Sequence, residues 1–355
     1  MSGTVTVPFF LNQQGCTHQC SYCAQETING HDGKLPDAGE IRRKVAAYGA
    51  SANGRQLHLA YYGGSFTSLP PINQEELLST AAQLRREGVL TGIRISTRPD
   101  GVTPESVSRL VRHGVETVEL GVQSLDDGVL RAAGRGHDAE VVAPAVRALQ
   151  AAGCAVGIQL MTGLPGDTPD HAVASMRKAL AMAPAFLRIY PTLVLAGSAL
   201  ARAFIAGDHQ PWSLELTVAT VKRMLLLAMQ SGVPVVRIGL QESPSLRRPG
   251  AILGGPYHPA LGELVQTVLW QDLLQLLLGD CSCGPLEIRC APTRLSSLVG
   301  QKRCNIDWLV EKTGINKIRV AGDSQLTPTQ LTVTAPGIFR MGDLLKDLDY
   351  DHTNC

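Results

Sequence analysis

Three cysteines fall within eight positions near the start of the chain, in "NQQGCTHQCSYCAQE": Cys16, Cys20 and Cys23, spaced C-x3-C-x2-C. The other six of the nine thiols are scattered. Thiols so crowded can form a disulfide knot, bind zinc, or hold an iron–sulfur cluster with one iron left open. The odd thiol count weighs against disulfides. So does the N-terminus, MSGTVTVPFF, which has no basic n-region and no apolar run of signal length. Structural zinc wants four protein ligands. Only three thiols converge here, and His18, the available fourth, sits inside the loop that would have to wrap the metal. A cubane takes up to four thiolates, one per iron, so three leave one iron free for a substrate or cofactor. The cluster is the reading the spacing favours.

A second set of chemical groups lies at the ends of strand-like runs. Period two places Ser96 with Arg98, Glu119 with Gly121, Gln159 with Met161, Arg188 with Tyr190, and Arg237 with Gln241. The opposite face is Val, Ile and Leu. A purely structural parallel strand should be apolar on both faces, so the polar face implies a substrate cavity. The bland alternatives are a polar plug in a barrel mouth, or solvent on one side of an open sheet. Glu119 within a strand core requires a partner or a ligand; a salt bridge to a neighbour such as Arg98 would satisfy it. Tyr62-Gly63-Gly64-Ser65 is either a tight turn or a loop whose backbone closely approaches a ligand.

The elements that must position these groups alternate. Strand-like runs are Val5–Leu11, Leu57–Tyr62, Gly92–Ser96, Thr117–Val122, Val156–Met161, Phe186–Thr192 and Val235–Leu240. Helical spacing lies between them, and several helices stop at glycine, as at Gly88, Gly114, Gly153 and Gly232. Repeated strand–helix units imply parallel strands with right-handed crossovers. The expected fold is α/β: a partial (β/α)6-type TIM-like barrel over residues 1–240. A loop and helical extension follows over 241–280, then a small C-terminal α+β domain and tail over 281–355. The chain has 355 residues, 44% hydrophobic and 18% charged, enough for a sizeable core. A formal net charge of +1 argues against binding nucleic acid by bulk charge alone, though not against a local basic patch. No run reaches the length of a membrane span, so a cytoplasmic protein is expected.

The cysteine loop, with Tyr22 before its last thiol, resembles the signature of the radical S-adenosylmethionine (radical SAM) superfamily. That resemblance implies a 4Fe–4S cluster on Cys16, Cys20 and Cys23. It implies SAM bound through the open iron and cleaved reductively to a 5′-deoxyadenosyl radical that abstracts hydrogen from a substrate. It also implies an external one-electron donor, flavodoxin or ferredoxin. Gly63, Gly64 and Ser65 resemble the family's "GGE" loop. Ser65 replaces the acidic residue, so only the backbone role carries over. By the same resemblance Tyr22, Ser96, Arg98, Glu119, Gln123 and Leu164 are expected near SAM, and Gln159, Arg188, Tyr190, Arg237 and Gln241 near the substrate.

"STRPDG", "VELGVQSLDD", "GRGHD" and "RIYPTLVLAGSAL" resemble the radical SAM domain of the elongator catalytic subunit, which modifies wobble uridine in tRNA. Two departures stand out. The gap between the first two cysteines is shorter here, and no acetyl-CoA phosphate loop is identifiable in the segment after the barrel. "RIGLQ", "GGPYHPALGELV" and "SSLVGQKRCNI" instead resemble a shorter bacterial branch. Acetyl transfer is therefore not expected, and an RNA substrate is carried by analogy. Two rivals remain: a zinc-stabilised, non-catalytic RNA-binding module, and a porphyrinogen oxidase-like enzyme gripping a small anionic substrate through Arg188 and Arg237. Arg135 and His137, in "GRGHD", either touch substrate or cap the next helix. His258 lies in a rigid loop that either covers the cavity mouth or makes a structural turn. Cys281, Cys283, Cys290 and Cys304 fit no common metal spacing, and Cys154 reads as a core thiol.

Overall fold

The structure, a computed structural model, describes residues 3–30, 34–279 and 284–350. The chain divides into two compact units that interleave in sequence. One takes Met1–Ser213 with Val233–Tyr257, the other Leu214–Gly232 with His258–Cys355. The sequence had suggested consecutive blocks with breaks at 240 and 280.

The first unit is built on parallel strands β1 (Val5–Phe10), β2 (Leu57–Tyr62), β3 (Gly92–Thr97), β4 (Thr117–Gln123), β5 (Ala155–Thr162) and β6 (Phe186–Pro191). β7 (Val194–Leu195) leaves this sheet, and β8 (Val235–Ile238) completes it beside β6, giving the order β1-β2-β3-β4-β5-β6-β8. β7 pairs instead with β9 (Ile252–Gly254) as a small antiparallel ribbon. β1 and β8 are the unjoined edges, so the curled sheet is the partial TIM-like barrel expected, with seven strands. Each of the seven starts and stops within two residues of its expected bounds.

The helices of this unit are α1 (Gln25–Asn29), α2 (Ala38–Ser51), α3 (Pro71–Arg86), α4 (Pro104–Arg112), α5 (Asp127–Ala132), α6 (Val142–Ala151), α7 (Pro169–Leu180) and α8 (Ala199–Ala206). Their starts are written locally. Asp37 makes a capping box with Glu40 at α2, and Thr103 with Ser106 does so at α4, where Pro104 follows. Thr168 caps α7 and Pro169 follows it. The strand pattern alternates as period two demands. In β3, Ile93 and Ile95 are buried while Arg94 and Ser96 are only partly so; in β6, Leu187 and Ile189 contrast with Arg188 and Tyr190 in the same way. The apolar face packs outward and the polar face looks inward.

The second unit holds α9 (Leu214–Gln230), α10 (Leu261–Leu278) and a four-stranded sheet. Its strands are β10 (Leu286–Cys290), β11 (Ile318–Gly322), β12 (Gln330–Ala335) and β13 (Ile338–Asp343), in the order β11-β10-β12-β13. Short helices α11 (Leu295–Val299), α12 (Cys304–Thr313) and α13 (Leu344–Asp347) complete it. Leu273 and Leu277 of α10 lie directly over Gly342 of β13, where a Cβ would meet them at 2.9–3.0 Å. Cys290 is buried in β10 and Cys304 is exposed, while Cys281 and Cys283 lie outside the described residues. Cys154 is a buried thiol donating to the Val115 carbonyl oxygen at 3.6 Å, as a core residue would. Among the described residues no helix is long and apolar enough to cross a membrane.

Candidate active site

The cysteine loop runs from the end of β1 to α1 and is clamped to the loop after β2. Leu11 N–H donates to the Tyr62 carbonyl at 2.7 Å, Gln13 N–H to Gly63 at 3.1 Å, and Ser65 N–H to Gln14 at 3.0 Å. Gly64 is the reason they fit. A Cβ there would lie 2.4 Å from the Gln14 carbonyl oxygen and 3.1 Å from that of Leu11. A second clamp comes from the loop after α5, where the Ser21 N–H donates to the Ala133 carbonyl at 2.9 Å. Gly136 closes over the His18 ring, with φ +75° and room for no Cβ. Cys23 N–H donates to the Cys20 carbonyl at 3.1 Å and sets the turn carrying the last two thiols.

Cys16, Cys20 and Cys23 are free and face one cavity of about 1080 Å³, within the first unit, at the carboxyl ends of the parallel strands. Burial raises the Cys16 thiol, and the neighbouring Cys20 adds to it. Burial pushes Cys23 up to about 11 against a Gln13 amide that donates to its sulfur at 3.7 Å; Cys20 and Cys16 add to the rise. The sulfurs therefore feel one another. Yet among the described residues no three His, Cys, Asp or Glu side chains gather closely enough to hold a single ion. Three thiols with no fourth protein ligand among the described residues suit a cubane, in which each thiolate takes its own iron, better than structural zinc, which wants four. His18 is exposed, with Nδ1 against the Thr17 hydroxyl at 2.9 Å, and does not complete a zinc set.

Across the cavity, Glu119 is the hub of the polar face. Its carboxylate accepts from the Tyr62 hydroxyl at 3.1 Å, from Arg94 Nη1 at 3.0 Å, and pairs with Arg188 Nε at 2.7 Å. Glu119 is 5% exposed, so these partners answer the cost of burying its charge. Burial, reinforced by Glu119, pushes the Tyr62 phenol up to about 12. Burial alone would lower the Arg188 guanidinium, but Tyr190 and Glu119 hold it above its usual value. Register then lines Gly121, Gln159, Arg188 and Arg237 across four adjacent strands. Gln159 Nε2 donates to Gln123 Oε1 at 3.1 Å. Gln123 has φ +72° just after a register irregularity at the end of β4, an uncommon strain for a non-glycine residue.

Most expected site residues line this one cavity. They are the three cysteines and Tyr22; Gly63, Gly64, Ser96 and Arg98; Glu119, Gln123, Gln159 and Arg188; and Tyr190, Arg237 and Gln241. Two do not. Ser65 is fully buried, its hydroxyl tied to those of Ser68 and Thr97 at 3.0 and 3.1 Å. Leu164 is 2% exposed and packs on Val129 and Ala133, with Tyr22 against that cluster. The suggested Glu119–Arg98 pair is absent from the ion pairs formed. Arg98 instead clasps Asp100 with two bonds at 2.8–2.9 Å, and its Nη1 is buried with no partner. Burial opposes this effect, yet Arg98 still holds Asp100 below the usual carboxylate range. Arg135 lines the cavity, whereas His137 does not. Arg94 went unread in the sequence although it shares the face of Ser96, two residues on. It lies over the Phe186 ring at 5.5 Å and is one of the two cations holding Glu119.

The Radical SAM superfamily model matches residues 13–179, and the Radical_SAM C-terminal domain model matches 184–271. A tRNA uridine(34) acetyltransferase of Dehalococcoides mccartyi is 36% identical over 167 residues, covering 44% of this chain and 36% of that protein. Elongator complex protein 3 of Saccharomyces cerevisiae is 30% identical over 186 residues, covering 46% and 33%. The chain thus spans about a third of the length of these curated relatives. Among solved structures, the archaeal Methanocaldococcus infernus Elp3 superposes with a TM-score of 0.58 at 20% identity, over 77% of this chain and 64% of that one, a likeness of fold.

Proposed function

This chain belongs to the radical SAM superfamily, enzymes that use a 4Fe–4S cluster and S-adenosylmethionine, and we propose that it abstracts hydrogen from an RNA nucleoside. The observation that carries the reading is that three thiols and the polar faces of β3–β6 and β8 line the same cavity. The residues present fit both groups. Cys16, Cys20 and Cys23 would each hold one iron. The Gly63–Gly64 backbone, with no side chain in the way, would meet the amino acid end of SAM, and the buried, unpartnered Arg98 Nη1 offers a donor for an anionic group. Bound there, the two groups supply a carbon radical made by one-electron cleavage of a sulfonium bond.

The chain's own residues do the rest. Tyr22, Ser96 and Gln123 would border the cofactor. Gln159, Arg188, Tyr190, Arg237 and Gln241 would orient the substrate. Glu119 holds Arg188 in place rather than binding cofactor, because its carboxylate is already taken by Tyr62, Arg94 and Arg188. Arg237 spends two donors on the Gly239 and Leu240 carbonyls and forms no ion pair with Asp or Glu among the described residues, so it can receive a phosphate or carboxylate. The RNA substrate rests on the relatives named as tRNA-modifying enzymes. A one-electron donor of the flavodoxin or ferredoxin kind would act from the same reducing, cytoplasmic setting.

Anaerobically reconstituted protein is expected to convert SAM to 5′-deoxyadenosine with dithionite, and Cys20→Ala is not. Equal cleavage by that variant overturns the reading. A second reading, a small anionic substrate, is favoured by the same Arg237, which has no carboxylate partner among the described residues. Comparing nucleoside mass spectra of RNA from cells with and without the gene decides between them: an altered nucleoside supports RNA, and unchanged spectra favour the small anion.

A further inference from the structure

Arg135 is a buried cation whose partner is a thiol. It is 6% exposed and forms no ion pair with Asp or Glu among the described residues. Its Nη1 donates to Cys20 Sγ at 3.5 Å and its Nη2 to the Gly121 carbonyl, while Nε is buried without a partner. The neighbouring Asp100 is clasped by Arg98. A guanidinium taken out of water without an anion is strongly unfavourable. The group this position offers it is the sulfur of Cys20, an anion when it serves as an iron ligand. The backbone fixes the arrangement: Arg135 N–H donates to the Leu130 carbonyl at 2.9 Å, and the flanking Gly136 sits on His18 of the cysteine loop.

The other thiols are served differently. Cys23 receives only the neutral Gln13 amide at 3.7 Å. Cys20 thus carries the one charged donor hydrogen-bonded to a cysteine sulfur among the described residues. Hydrogen bonds to cluster sulfurs and net charge nearby set an iron–sulfur potential. A fixed positive charge favours the more negative, reduced state.

We propose that Arg135 is a positioning residue that raises the reduction potential of the cluster by holding a cation and an N–H donor on Cys20 Sγ. The inference rests on the radical SAM reading above. It assigns to the "GRGHD" loop the work of making the cluster reducible by its external donor.

The test is an EPR-monitored redox titration of reconstituted wild type, Arg135→Gln, Arg135→Met and Arg135→Lys, each with iron and sulfide counted and melting temperature recorded. Either neutral variant that loads fully supplies the answer. At a fixed poise its reduced-to-oxidised ratio should fall about tenfold, equivalent to about 59 mV for a one-electron couple. Arg135→Lys, which keeps the charge, should fall less. A fully loaded neutral variant with the wild-type midpoint overturns the proposal and leaves the superfamily reading intact. Wild type that takes up no iron contradicts both.

Discussion

The loops at the cavity and the strands that line it are held by different means. At the loops the cysteine segment, the Gly63–Gly64 turn and the loop after α5 are joined backbone to backbone, with glycines where the chains touch. On the inner face of the strands the groups are side chains held by one another, around Glu119, which takes Tyr62 of β2, Arg94 of β3 and Arg188 of β6, and through Gln123 and Gln159. Backbone clamps depend little on side-chain identity and not on pH. Side-chain networks depend on both. The first design suits a cofactor that never changes; the second would leave groups on the strands free to vary without disturbing it.

Four changes probe that contrast. Gly64→Ala forces a Cβ onto the Gln14 carbonyl and should remove the cluster altogether, read as iron retained after desalting under anaerobic conditions; overpacking of this kind adds about 1–3 kcal/mol of destabilisation besides. Full iron retention would show that the clamp is not needed. Glu119→Gln leaves Arg94 and Arg188 without their anion and should lower unfolding free energy by about 3 kcal/mol in urea titration, the low end for a broken buried pair because both arginines are partly exposed. SAM cleavage without substrate should persist in the fraction that remains folded.

Asp167 offers a third probe, through pH. Its carboxylate accepts from the Gly163 and Thr168 N–H groups, the first at 2.8 Å, holding the loop after β5. Burial nevertheless pushes its carboxyl up to about 6, above an ordinary value of 3.8. A folded-state value above the unfolded one means the contribution to stability is complete below about pH 4 and lost as pH rises through about 6. Stability should fall by about 2 kcal/mol over that window, and Asp167→Asn should lack this decline. A flat wild-type profile would remove the distinction drawn here. The smallest effect is expected for Arg237→Ala: substrate conversion about tenfold lower, as for one lost charge-assisted contact, with 5′-deoxyadenosine formation unchanged. Loss of both together would mean that loops and strands are not separable.

The barrel was legible because period-two alternation and glycine helix stops are strong local signals, and all seven sheet strands appear where they were read. The cysteine trio was legible because its type and spacing are rare. What was missed depends on three-dimensional choice. Arg94 sits one period before Ser96, and extending the alternation backward would have found it. Leu164 and Ser65 lie in the right loops but turn inward to the core, which spacing cannot show. Glu119 is opposite Ser96 and Gly157 in register, and takes its partners diagonally, Arg94 of β3 from opposite Thr117 and Arg188 from two strands away on β6, both within 3.0 Å, while Arg98, past the end of β3, meets Asp100. β13 carries Phe339 and Met341 exposed between glycines, so its composition hid a strand that pairing with β12 reveals. The grouping of α9 with the C-terminal residues left no mark in the sequence, since the helix follows β6 as a barrel helix would.

The central claim is that three thiolates at the amino end each hold a different iron. Counting iron, zinc and acid-labile sulfide in protein isolated without air tests it most directly. The account predicts brown protein carrying about four iron and four sulfide per chain, lost in Cys16→Ala, Cys20→Ala and Cys23→Ala alike. Colourless protein with one zinc per chain, or thiols found oxidised to disulfide, would contradict it.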